Sequence, residues 1–226
     1  AIDGLKSCST VMVHTEADVE NLRTLGIEEN VVMIPHGIYP PPSDSAESLP
    51  MEGRVMGTFG FLLPHKGQLE LIEAFDRLPG WDELLLLCAT REGSGNMEKK
   101  VNSLIQNKGL TGRVRLVTDF LDDDVAISTL SKCELLVFPY QNTKESASGA
   151  VRMGVAAGVP LAVTPISIFD DIAGAIKMRG RSVDDIVASI SAIGQKNLDS
   201  SRESMIKLRD ALQWDEVAKR IQERLK

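Results

Sequence analysis

Cysteine is scarce in this 226-residue chain, with only Cys8, Cys88 and Cys133 present. The number is odd, and the last two lie in or beside apolar strand-like runs, so buried reduced thiols of a cytosolic protein fit better than a disulfide framework. Long apolar runs are missing as well. The longest, Leu84 to Ala89, is the length of a strand, whereas about 20 residues are needed to span a bilayer, and no secretory leader pattern is visible. Positive charge is not in excess: the formal net charge is -7. Nonspecific nucleic-acid binding, which needs a concentrated Lys/Arg surface, is therefore disfavoured. A nucleotide is not excluded, because one helix terminus and one or two cations suffice to hold it. Several catalytic signatures are also absent. There is no GxSxG elbow and no assignable Ser-His-Asp arrangement, and the GxxxxGK[ST] spacing of a Walker loop does not occur. His14, His36 and His65 have no metal-ligand spacing and no Cys joins them, so no metal site is expected. No internal repeat or low-complexity tract is present.

What the chain does contain is the composition of an ordinary globular protein, 43% hydrophobic and 25% charged. Its length suits one large domain, or one domain with part of another. Apolar strands alternate with amphipathic helices throughout, which predicts an α/β fold built on a doubly wound parallel sheet. Strands are expected at 11–14, 31–34, 54–59, 83–88, 113–117, 134–138 and 161–164. Helices are expected at 16–25, 67–78, 97–108, 122–130, 147–157, 183–193, 201–212 and 215–225. The segment from Tyr39 to Ser48, rich in Pro and Ser, reads as the one convincing linker. The chain starts at Ala1 inside a patterned segment, which reads as a fragment of a longer protein.

Two segments carry candidate chemistry. The first runs from Gly57 through Gly60 to Lys66 and Gly67, between a strand and a helix. Its glycines permit close backbone approach and Lys66 can place an ammonium on a phosphate; the loop alone fits a plain turn with a solvated Lys equally well. The second runs from Lys144 to Pro160, after the buried strand at 134–138. Glu145 stands before the helix, Ser146 and Ser148 suit its cap, and the amides of Ser148, Gly149 and Ala150 suit a phosphate at the positive end of the dipole. An ordinary N-cap with a dipole-favoured acid is the plainer reading. Arg152 needs an anionic partner if it faces the sheet. Asp122, Asp123 and Asp124 resemble metal-binding acidic triplets, but a helix start explains them more simply.

In this order the segments resemble the C-terminal half of GT-B glycosyltransferases of the retaining group called glycosyltransferase family 4. Val31 to Ile38 is similar to the family's hinge strand, Gly60 to Gly67 with Leu71 to Phe75 to its lysine segment, and Glu145 with Gly158 to Thr164 to its paired-glutamate block. The resemblance implies a Rossmann-like fold and four parts. Residues 1–38 end an N-terminal domain and include the hinge; 39–53 form the linker; 54–212 form the nucleotide-sugar donor-binding domain; 213–226 form a C-terminal crossover helix.

It also implies roles: Lys66 on the donor diphosphate, Glu145 on the donor sugar as the catalytic carboxylate, and Glu92, Gly93, Phe120 and Leu121 around the nucleobase. No cofactor beyond the donor is implied. The partners implied are a nucleotide sugar, a glycan or lipid-linked acceptor and the absent N-terminal domain. The setting implied is the cytoplasm or the inner face of the membrane, in polysaccharide synthesis. Two positions depart from the family. Its Arg, five before the Lys, is Phe61, and its second Glu, separated from the first by seven residues, is Met153, where the ribose contact is expected. Arg152, beside the lost Glu, is a candidate replacement cation. These losses keep a second reading open, that of a non-catalytic GT-B-like module assembling with partner chains. A receiver-like domain built on Asp122 to Asp124 fits poorly, because those acids follow a late strand.

Overall fold

A computed structural model describes residues 2–224 apart from Gly93 and Lys144. The expectations placed on Gly93, Lys144 and Leu225 therefore lie outside the described residues. The chain opens with α1 (Ile2–Ser7), β1 (Val11–Val13), α2 (Glu16–Thr24) and β2 (Val31–Met33). The two strands pair in parallel as a small separate sheet. The main body then follows as β3 (Val55–Phe61), α3 (Gln68–Asp76), β4 (Glu83–Ala89), α4 (Met97–Asn107), β5 (Val114–Val117), α5 (Asp123–Ser131), β6 (Leu135–Phe138), α6 (Gly149–Ala157), β7 (Leu161–Val163) and β8 (Ile176–Lys177). Helices α7 (Val183–Ser191), α8 (Gln195–Ala211) and α9 (Trp214–Arg224) complete it. Strands β3 to β8 form one parallel sheet in the order β5-β4-β3-β6-β7-β8.

The unbroken apolar runs are explained by two-sided burial. Side chains alternate across a strand, so a strand covered on both faces needs apolar residues at every position. In β4, Leu85 and Leu87 enter one core while Leu84, Leu86 and Cys88 enter the other; in β6, Leu136 and Phe138 oppose Leu135 and Val137. Helices α5 and α6 cover the first face, and α3, α4 and α7 the second. Burial pushes the Cys88 and Cys133 thiols up to about 12, so both remain protonated; Cys8 is exposed.

Helix α6 lies close against the sheet. A Cβ on Gly154 would stand 3.0 Å from Leu161 Cδ2 and 3.2 Å from both Leu136 Cδ1 and Phe138 Cε2, which is why this helix is made of small residues. The predicted elements are present, with shifted ends. Strand β3 continues to Phe61 because it pairs with β4 up to Ala89. The segment before Ser201 joins α8 from Gln195 despite its polarity, since Gly194 and Asn197 cap it. The Pro/Ser-rich segment is irregular but pinned: Asp124 accepts from the Ser43 amide and hydroxyl at 2.9 and 2.7 Å, and Thr129 Oγ1 accepts from the Leu49 amide at 3.1 Å. No described helix is long and apolar enough to cross a membrane.

Candidate functional site

Strand order reverses between β3 and β6, whose following loops diverge to opposite faces of the sheet. In open α/β sheets a ligand crevice lies outside the carboxyl ends of the strands at such a switch point. A cleft of about 510 Å³ lies there.

From β3 the chain enters a 3₁₀ turn over Pro64–Lys66 and then Gly67, whose φ is 73°. A Cβ on Gly67 would stand 2.0 Å from the Pro139 carbonyl oxygen, so only glycine allows this turn to close on the end of β6. The Gln141 amide donates to the His65 carbonyl at 2.8 Å and ties the two loops together. Gly60 is similarly constrained, with φ of 135° and a would-be Cβ 3.0 Å from that of Ala150.

The turn sets Lys66 in a largely buried place. Its ammonium lies 4.0 Å above the Tyr140 ring and donates to Glu145 Oε2 at 2.7 Å. Burial pulls the Lys66 ammonium below its ordinary value, with the Glu145 carboxylate opposing. Burial pushes the Glu145 carboxyl up, but Lys66 and His65 outweigh it and hold the group below the usual carboxylate range; His65 Nε2 is 3.4 Å from Glu145 Oε1. The two residues form a charge-neutral pair at neutral pH.

Beside this pair begins α6. Ser148 is its N-cap and accepts from the Val151 amide at 3.3 Å, while sharing a 3.0 Å hydrogen bond with the Tyr140 hydroxyl. The amides of Gly149 and Ala150 have no acceptor among the described residues. Both lie at the positive end of the helix and line the cleft. Ser146 does not cap the helix.

Arg152 is buried rather than outward-facing. It donates to the Ser148 carbonyl at 2.9 Å and to Asp171 Oδ2, an acid 19 residues further along. Its charge is thus engaged within the protein, although the residue lines the cleft beside buried Met153. Asp122 to Asp124 open α5.

Of the candidate residues, Gly60, Lys66, Phe120, Leu121, Glu145, Ser148, Gly149, Ala150 and Arg152 all border the one cleft. Phe120 is 79% exposed at its mouth. Glu92 is exposed and does not line it. The reason is a tight turn in which the Arg91 amide donates to Ser94 Oγ and the Ser94 amide returns to the Arg91 carbonyl, and it is Arg91 that faces the cleft.

Sequence reading missed Arg91, Tyr140 and the cluster of His36 and Trp214, whose ring centroids are 5.3 Å apart. Trp214 lies flat against Gly37, where a Cβ would stand 2.2 Å from its ring. The position of Arg91 straight after an apolar strand was the available signal.

The family model described as glycosyl transferases group 1 matches residues 43–207, well over half of the chain. The structure is similar to sucrose-phosphate synthase from Thermosynechococcus elongatus, with TM-score 0.79 and 17% identity over 98% of this chain and 59% of that one. Anabaena HepE in complex with UDP-glucose gives TM-score 0.80 and 16% identity, covering 99% of this chain and 65% of that one. A UDP-forming α,α-trehalose-phosphate synthase from Burkholderia xenovorans gives 0.77 and 10%, covering 100% and 62%. All three exceed this chain in length, which spans less than two thirds of each. No curated protein sequence matches the chain. At these identities the likeness establishes the fold, the Rossmann-like α/β architecture of GT-B proteins.

Proposed function

We propose, from the premise that this chain belongs to the group 1 glycosyl transferases, that its cleft takes a nucleotide sugar and that the chain is the donor-binding part of a retaining glycosyltransferase. One observation carries the proposal: Lys66 and Glu145, 79 residues apart in sequence, meet at 2.7 Å in the switch-point cleft. Transfer breaks the bond between the anomeric carbon and a diphosphate oxygen, and negative charge grows on the leaving phosphate. A fixed ammonium and helix-terminal amides stabilise that charge. Lys66 and the 148–150 amides take this role, and Glu145 accepts hydroxyls of the sugar. With no ligand the two charges satisfy each other, so a donor divides the pair, diphosphate to Lys66 and sugar to Glu145. Phe120 and Leu121 border the nucleobase.

The proposed division of the chain is residues 1–38, 39–53, 54–212 and 213–226, with the acceptor, a glycan or lipid-linked sugar, held by an N-terminal domain. We place the whole protein in the cytoplasm or against the inner membrane face, a setting that suits its reduced cysteines. Calorimetry with UDP, ADP and GDP tests the donor site. The expected result is binding of at least one, weakened about tenfold or more by Lys66→Ala, the scale of one charge-assisted contact. No heat with any of the three sinks it.

A second reading, a non-catalytic module assembling with partner chains, is favoured by Phe61, which stands in place of the family's arginine, and by buried Met153, which leaves no carboxylate at the expected ribose position. Donor hydrolysis or transfer by the full-length protein excludes that reading. Complete inactivity with every donor, alongside a stable partner complex, establishes it over the first.

A further inference from the structure

Three cations border the cleft, and their charges are spent differently. Lys66 is paired with Glu145, and Arg152 with Asp171. Arg91 forms no ion pair with an acidic side chain among the described residues. It is nonetheless held in place. Phe61 and Ala89 are register partners at the carboxyl ends of β3 and β4, and two residues beyond Ala89 the Arg91 guanidinium lies 4.6 Å above the Phe61 ring. Its backbone is fixed by the reciprocal bonds to buried Ser94. The other acids lining the cleft, Asp119 and Asp123, follow β5 and do not pair with it. Arg91 is near enough to Lys66 to add to the lowering of that ammonium.

Glu145 already compensates Lys66, so the Arg91 guanidinium brings a further positive charge to the cleft, available to an added anion. A diphosphate spreads its charge over two phosphoryl groups, and a planar guanidinium can bind one while an ammonium binds the other. Phe61 gives the guanidinium a flat apolar seat, so little side-chain freedom is lost when the anion arrives.

The geometry points to Arg91, seated on Phe61, as the second cation of the diphosphate site. This inference rests on the nucleotide-sugar reading. Stacked guanidinium and buried ammonium together supply the charge that the Phe61 position itself lacks.

The test is calorimetry of the wild-type chain, Arg91→Ala and Arg91→Lys with UDP, ADP and GDP and with the matching nucleosides. For whichever diphosphate binds, Arg91→Ala is expected to weaken it about tenfold, the scale of one charge-assisted hydrogen bond. Arg91→Lys, keeping the charge, should lose less, and nucleoside binding should stay unchanged in both variants. Arg91 is exposed, so its replacement should leave the melting temperature unmoved. Wild-type affinity for the diphosphate in Arg91→Ala, or an equal loss for the nucleoside, overturns the assignment while the donor reading stands. A wild-type chain that binds no nucleoside diphosphate overturns both.

Discussion

Helices α2 and α6 each have nine residues, yet α2 buries none of its side chains and α6 buries every residue from Val151 to Ala157. The first holds itself together locally. Thr15 and Asp18 form a reciprocal capping box, and Arg23 pairs with Glu20 one turn away. The second has no acid in its first turn and no base in its last. It is held by the sheet and by one internal ion pair. The contrast separates two sources of helical order, bonds within the segment and packing against the rest of the protein, and only the second positions a cleft.

Substitutions graded by size can break that contrast. Asp171→Ala should do most harm, because it leaves the buried Arg152 guanidinium uncompensated, at about 3–5 kcal/mol. Urea unfolding measures it, and a loss under about 1 kcal/mol would mean that α6 does not need the pair. Gly154→Val forces two methyl groups towards Leu161, Leu136 and Phe138 and should cost about 1–3 kcal/mol as overpacking; an unchanged midpoint would show slack beneath α6. Thr15→Ala removes the α2 cap and should cost about 1 kcal/mol. Lost helicity confined to the first 38 residues, read by amide exchange, would confirm that α2 is locally sustained.

The smallest effect is in pH. Burial lowers the His36 imidazole from its ordinary 6.5, Arg152 and His14 add to this, and the bond to the Gly37 carbonyl and the Asp171 charge oppose it. A base lowered on folding favours its neutral form in the folded state. Its contribution is therefore complete above pH 6.5 and declines as pH falls through that value towards the lower folded one. His36→Asn should flatten this part of the stability profile. Identical profiles for variant and parent would remove His36 from the account.

These two helices also explain what the sequence made legible. The locally encoded features were readable: the strand and helix alternation, the switch from β3 into the Lys66 turn, and Ser148 as a cap. Strand order was not, because β3 meets β6 only after two intervening strands have been placed on its other side. Nor was the fate of Arg152, whose partner Asp171 lies in an irregular segment with no periodicity to announce it. Arg91 resembled any solvated residue after a strand until register put it over Phe61. Two-residue β8 is too short to carry a pattern.

The meeting of Lys66 with Glu145 has a kinetic consequence. The pair spans 79 residues and three strands, so closing it carries the loop entropy of a long contact, and such contacts form late. No fragment ending before β6 can possess the site. Recovery of diphosphate binding during refolding should therefore lag behind recovery of helical signal, and the cleft would report when the sheet has been assembled in its final order.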